Sequence, residues 1–147
     1  MDVVLEQVVT AIQGSLDEVF KVPIHGKAVE KGLKLPAIFV SLLPITTVPF
    51  LERKGMHRLT VAVDYVDDGL TARQIAGVHA KLFKALRYVQ DADGHIYRGW
   101  DIRQETTEDN VPQMIVSYAV IYDEVRDKEY VERLLQSQYI NEIPKGD

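Results

Sequence analysis

His57-Arg58-Leu59-Thr60-Val61-Ala62-Val63-Asp64-Tyr65-Val66 is the stretch whose reading decides the fold. Leu59, Val61, Val63 and Tyr65 fall on one side of an extended chain, and Arg58, Thr60, Ala62 and Asp64 on the other. A period of two marks a strand with one face buried and the other more polar. Its expected partner comes earlier. Ala37-Ile38-Phe39-Val40-Ser41-Leu42-Leu43 is branched, aromatic and apolar on both faces, so it reads as an interior strand entered through Pro36. Between them Pro44–Met56 reads as the long end of a β-hairpin.

On the N-terminal side, Leu5, Val8, Val9, Ile12, Leu16, Val19 and Phe20 recur at steps of three and four, which places them on one helix face. Pro23 ends that pattern. A short extended piece follows around Pro23–Val29 and closes on Glu30-Lys31-Gly32, with Lys27, Lys31 and Lys34 as solvated or edge-protecting charges. On the C-terminal side, Thr71 is placed to cap a second helix while Gln74 reaches back to it. Ile75, Val78, Leu82, Leu86 and Val89 then line one face. Gly77 within this helix costs about 1 kcal/mol against alanine, and close packing of a strand beneath the helix would account for it.

Asp91-Ala92-Asp93-Gly94 is a turn, and His95–Gln104 a strand with Ile96, Trp100 and Ile102 on one side. After the acidic loop Glu105–Asn110, Gln113–Tyr122 is apolar on both faces, as a central strand is. A short helix is expected over Asp127–Gln136, with Glu129 and Arg133 at i,i+4, and then an extended tail over Ser137–Asp147. The order α-β-β-β-α-β-β-α predicts a single α+β domain over residues 1–147. Its mixed or antiparallel sheet, of about four to five strands, carries two main helices and a short C-terminal one.

Composition narrows the function classes. The 147 residues include no cysteine, so disulfides, thiolate nucleophiles and Cys-ligated zinc are excluded. No apolar run approaches the ~18 residues of a membrane span, and the acidic N-terminus does not resemble a secretory signal, so synthesis inside the cell and no membrane partner are expected. A net charge of −5 disfavours broad binding to phosphate backbones. Its distribution is uneven. Residues 21–58 hold seven basic and two acidic side chains, a net +5, whereas residues 91–147 hold six basic and thirteen acidic, a net −7. Such a split suits either two solvated surfaces or a charge pair that docks one subunit head-to-tail on the next.

Reactive motifs are scarce. His25, His57, His79 and His95 form no HExxH or other short ligand spacing, and His79 reads as a hydrogen-bonded histidine at the edge of the helix stripe. Asp64, Asp67 and Asp68 cluster at a strand end and could hold Mg²⁺ for phosphodiester cleavage, but no Lys or Glu is placed to complete such a site and Asp67-Asp68-Gly69 reads as a turn that ends the strand. No phosphate-binding glycine loop or nucleophile elbow occurs. No catalytic residue, metal or cofactor is therefore expected. The strongest functional candidate is the Pro44–Met56 loop. Ile45, Val48, Phe50 and Leu51 are too apolar for a purely solvated segment, and Arg53, Lys54 and Arg58 give them a basic rim. They serve either to cover the domain's own core or to contact another chain. Glu105, Glu108 and Asp109 are the acidic counterpart.

Ile24-His25-Gly26-Lys27-Ala28-Val29-Glu30-Lys31-Gly32-Leu33-Lys34-Leu35-Pro36-Ala37-Ile38-Phe39-Val40, followed by Arg58 through Tyr65, resembles phage and prophage tail terminators of Gram-positive hosts. The likeness lies in a short strand, a Gly-Leu-Lys-x-Pro turn, an apolar strand and an arginine-bearing strand ending in an aromatic. It covers the first half well and the second half in element order. His25 stands where an aromatic is usual, and Tyr65-Val66-Asp67 replaces a Tyr-Phe-Pro-like end. The resemblance implies a homohexameric ring on the end of the tail tube, in the virion tail, assembled in the host cytoplasm. That ring stops tube polymerisation and gives the head–tail joining surface. It touches the tail tube protein and a head–tail connector protein, and DNA passes through its lumen. Another head–tail completion protein is the nearest alternative.

Overall fold

The alternation at 57–66 makes up the last ten residues of a thirteen-residue strand. The computed structural model describes residues 3–26, 34–50 and 52–123. Helix α1 (Val3–Phe20) is followed by strands β1 (Ile24–His25), β2 (Ala37–Leu42), β3 (Thr46–Pro49) and β4 (Lys54–Val66). Helix α2 (Ala72–Leu86) then leads to β5 (Tyr88–Gln90), β6 (Ile96–Arg98), β7 (Trp100–Thr106) and β8 (Pro112–Asp123). The helix expected over Asp127–Gln136 and the tail beyond it lie outside the described residues, as do Lys27 and Lys31.

β2 and β4 pair antiparallel from Ala37↔Val66 to Leu42↔Val61, the partnership that their apolar patterns predict. β8 runs along the other side of β4 from Lys54↔Asp123 to Asp64↔Gln113, so it is a central strand. The main sheet has the order β1-β2-β4-β8-β7, with β3 also on β4; β1 pairs parallel with β2, and the other described pairs are antiparallel. β5 and β6 form a separate hairpin. The class is α+β, with more strands than the periodicity alone suggests.

Alternation turns Leu59, Val61 and Val63 of β4 and Met114, Val116, Tyr118 and Val120 of β8 to the same face, where all are essentially fully buried. Leu5, Val8, Ile12 and Leu16 of α1 and Val78, Leu82, Ala85 and Leu86 of α2 complete that core. Both helices therefore lie on one side of the sheet. The Ser15 hydroxyl donates to the Ala85 carbonyl and ties the two helices together. Tyr118 reaches through the core to donate its hydroxyl to the Leu86 carbonyl at 2.6 Å, and burial pushes its phenol pKa well up.

The capping box at α2 is complete. Thr71 Oγ1 accepts from the Gln74 amide at 3.2 Å, and Gln74 Oε1 accepts from the Thr71 amide at 2.8 Å. The helix stops at Leu86, before Val89, which is buried as the middle residue of β5. Val89 stands three residues after Leu86, a step that suits the helix stripe, so the pattern alone does not mark the boundary. The strand expected over His95–Gln104 is divided at Gly99 into β6 and β7. A bulge between Trp100 and Arg103, with Asp101 at φ 51°, then sends Trp100 and Ile102 to opposite faces.

Gly77 does not lie over a strand. A Cβ added there would meet nothing within 4 Å, and the residue is exposed on the outer side of α2. Gly77→Ala is accordingly expected to stabilise the isolated chain by about 0.5–1 kcal/mol, read as a higher urea midpoint at unchanged m-value. A lower midpoint would contradict an open position.

Candidate assembly interface

The segment expected as a loop is an arm of paired strands. After Leu42 the Leu43 amide still donates to the Thr60 carbonyl at 3.0 Å, and β3 resumes pairing at Thr46↔Arg58. One more residue is spent on this edge than on β4 between the two pairings, which makes a bulge at Pro44-Ile45. Proline, with no amide to contribute, is tolerated at such a site. The Phe50 amide donates to the Lys54 carbonyl at 2.7 Å, and Glu52 at φ 63° turns the chain back. β4 and β8 continue beside β3 to this tip, so the arm is three strands wide.

One face of the arm is locked from within. Gly55 leaves room for Tyr122, whose hydroxyl oxygen would stand only 2.2 Å from a Cβ at that position. The Tyr122 ring stacks on His57 at 4.8 Å between centroids, and His57 Nδ1 is hydrogen-bonded to Thr47 Oγ1 at 2.9 Å. The other face is apolar and open. Cross-strand register lines up Val48, Met56 and Ile121 across the three strands, with Val48 40% and Ile121 58% exposed. Phe50, 49% exposed at the tip, and Ile45 extend this surface. These side chains do not cover the core, whose buried residues lie on the helix side of the sheet. Leu51 lies outside the described residues. Met56 and Ile121 were not singled out from sequence, although the two-sided apolarity of Gln113–Tyr122 contained the signal for Ile121.

Arg53 and Lys54 are exposed at the tip, as a basic rim requires. Arg58 is different. Its guanidinium lies 4.4 Å from the centroid of the Trp100 ring, pairs with Asp101, and donates from Nε to Ser117 Oγ at 3.2 Å. Ser117 also shares a 2.8 Å hydrogen bond with Thr60. Arg58 is thus neutralised inside its own chain and braces the open sheet face where the β7 bulge brings Asp101 to it.

Glu105, Glu108 and Asp109 are exposed but stand far from the arm. The β4–β8 register takes ten steps from Lys54↔Asp123 to Asp64↔Gln113, about 34 Å at strand rise, and the acidic turn follows on from the Gln113 end. The turn is closed by the Asn110 amide donating to the Thr107 carbonyl at 2.9 Å and the Val111 amide donating to Thr107 Oγ1 at 3.2 Å. The basic tip and the acidic turn therefore occupy opposite ends of one sheet and cannot serve as one patch.

Asp64, Asp67 and Asp68 do not converge on a metal position. Asp64 accepts from Gln113 Nε2 at 2.7 Å, and Asp67 accepts from the Asp68 amide at 2.8 Å in a turn that Gly69 completes at φ 61°. The described residues do gather Asp91, Asp93 and His95 closely. Asp91 is already committed to its own loop. Its Oδ1 accepts the Asp93 and His95 amides at 3.0 and 2.9 Å, and its Oδ2 accepts the Tyr97 hydroxyl at 3.1 Å. Burial alone would raise its pKa, but these hydrogen bonds and His95 hold it below the usual carboxylate range. His79 is bonded to Gln104 at 2.9 Å and Thr106 at 3.1 Å, a boundary histidine as expected. None of the described helices is long and apolar enough to cross a membrane.

Comparison with known proteins adds to this geometry. A family model described as phage tail terminator protein matches residues 7–130. Among solved structures, a chain from the virion of a native gene transfer agent particle has the same fold at TM-score 0.51. It is 14% identical, and the match covers 84% of this chain and 99% of that one. No curated protein matches the sequence.

Proposed function

Given that the chain belongs to the phage tail terminator family and has a structural role in the tail, we propose that it forms a ring on the end of the tail tube. There it stops further tube growth and presents the joining surface for the head. The arm is the observation that carries this reading. A three-stranded arm shows Ile45, Val48, Phe50 and Ile121 to solvent, away from the core that the described residues form, and exposed apolar surface of this kind marks contact with another chain. The tail tube protein and the neighbouring subunit are the chains within its reach. A closed ring needs two different patches that meet between neighbours, and a sheet that carries unlike surfaces at its two ends supplies them. Six copies, a connector protein on the head side, assembly in the host cytoplasm and DNA passing through the lumen complete the proposal. No part of it requires a catalytic residue.

The test is electron microscopy of tails assembled with and without this chain. Tubes of uncontrolled length that fail to join heads are expected in its absence. Tubes of normal length with normal heads attached would remove the terminator role.

A further inference from the structure

We propose that the outer face of α2 is the seat for the acidic turn of a neighbouring copy, an inference that rests on the ring reading above. Between Asp68 and Asp91 the chain carries Arg73, Lys81, Lys84 and Arg87 and no acidic residue, in a protein whose net charge is −5. All four basic residues are exposed. At 100° per residue, Arg73, Lys84 and Arg87 share the helix face opposite the buried Val78, Leu82, Ala85 and Leu86, and Lys81 flanks it. Among the described residues none of Arg73, Lys81, Lys84 and Arg87 has a carboxylate within ion-pair distance.

Among the described residues no cation lies within ion-pair distance of Glu105, Glu108 or Asp109 either, so two surfaces of opposite sign lack a counter-charge there. Arg73 and Lys81 are separated by about 12 Å along the helix, and Glu108 and Asp109 stand in the tight turn that follows Glu105 and the end of β7. The seat is also shaped for close approach. Gly77 and Ala80 lie between the cations, and Gly77 has open space where a Cβ would be. At its far end Phe83 and Tyr88 are 38% and 47% exposed, with the Arg87 guanidinium 5.7 and 5.0 Å from their ring centroids. Contact between a helix face on one copy and a turn on the next is heterologous, the kind that propagates around a ring, and charge complementarity sets its register.

The experiment is a charge swap, scored by electron microscopy as rings on tail tubes, with circular dichroism to show that each variant folds. Arg73→Glu/Lys84→Glu and, separately, Glu108→Lys/Asp109→Lys are each expected to lower ring occupancy about tenfold or more at fixed concentration. Combining the four changes is expected to restore occupancy to within about threefold of the original chain. If the α2 reversal leaves rings intact, the seat is elsewhere and the proposal falls while the ring stands. If each reversal disrupts rings but the combination does not recover, the two surfaces do not meet and the proposal falls. If the α2 reversal spares rings but weakens retention of a DNA duplex, the occupant is nucleic acid and the proposal is overturned. Absence of rings from the unaltered chain on tubes would instead defeat the ring reading itself.

Discussion

Replacing Gly99 with alanine is expected to lower the unfolding free energy by about 2–3 kcal/mol, one of the largest effects of adding a single methyl group to this chain. A Cβ at Gly99 would lie 2.8 Å from the Leu86 carbonyl oxygen and 2.8 Å from Val116 Cγ2. Neither can retreat cheaply. The Leu86 carbonyl closes α2 and already accepts the Tyr118 hydroxyl at 2.6 Å, so moving it weakens a buried hydrogen bond as well. Val116 is fully buried at the centre of β8. The Gly99 amide donates to the Arg87 carbonyl at 2.8 Å, which fixes the backbone so that it cannot swing away. Thermal unfolding is the measurement, and a fall of roughly 6–10 °C corresponds to that free energy for a chain of this size. An unchanged melting temperature would mean that the β6–β7 junction relaxes freely, and this account of the break at Gly99 would fail.

Phe50→Glu is expected to leave the domain folded and to remove its activity on tails. Phe50 is 49% exposed at the tip of the arm, and its backbone amide bond to Lys54 does not depend on the side chain, so stability should change by no more than about 0.5 kcal/mol. In the assembly, the same position must bury a carboxylate where an aromatic anchor sat. Loss of such an anchor costs about 2 kcal/mol or more, a weakening of about 30-fold, and an unpaired buried charge adds to it. The expected outcome is a monomer with an unaltered melting temperature and tubes that overgrow as though the chain were absent. Normal capping by this variant would take the arm out of the contact.

These two residues also show how unevenly the structure could be read from sequence. The glycine at position 99 sits within a stretch that reads as one strand, because Ile96 and Ile102 bracket it with apolar residues and nothing local reports a helix terminus passing beneath. Phe50 was singled out from its company in an over-long loop as either a cover for the core or a contact residue; the structure leaves it exposed on an arm that was not foreseen. Thr46–Pro49 lacks apolar alternation because neither of its faces enters the core, so periodicity has nothing to detect.

What the amino-acid order determined by itself is local. The alternation in 57–66 and the two-sided run at 37–43 specify two strands and their pairing. Thr71 with Gln74 specifies where α2 begins. These follow from neighbours within a few residues, whose spacing is set by helix and strand geometry. The tertiary structure alone decided that Pro44–Met56 extends as strands, since β8, some sixty residues later, pairs along β4 beside β3 and widens the hairpin into an arm. It also decided that Arg58 is spent on Asp101 and Trp100, and that the acidic turn lies a full strand length from the basic tip. Register between distant segments made those choices, because backbone hydrogen bonds match whichever strands the core brings side by side.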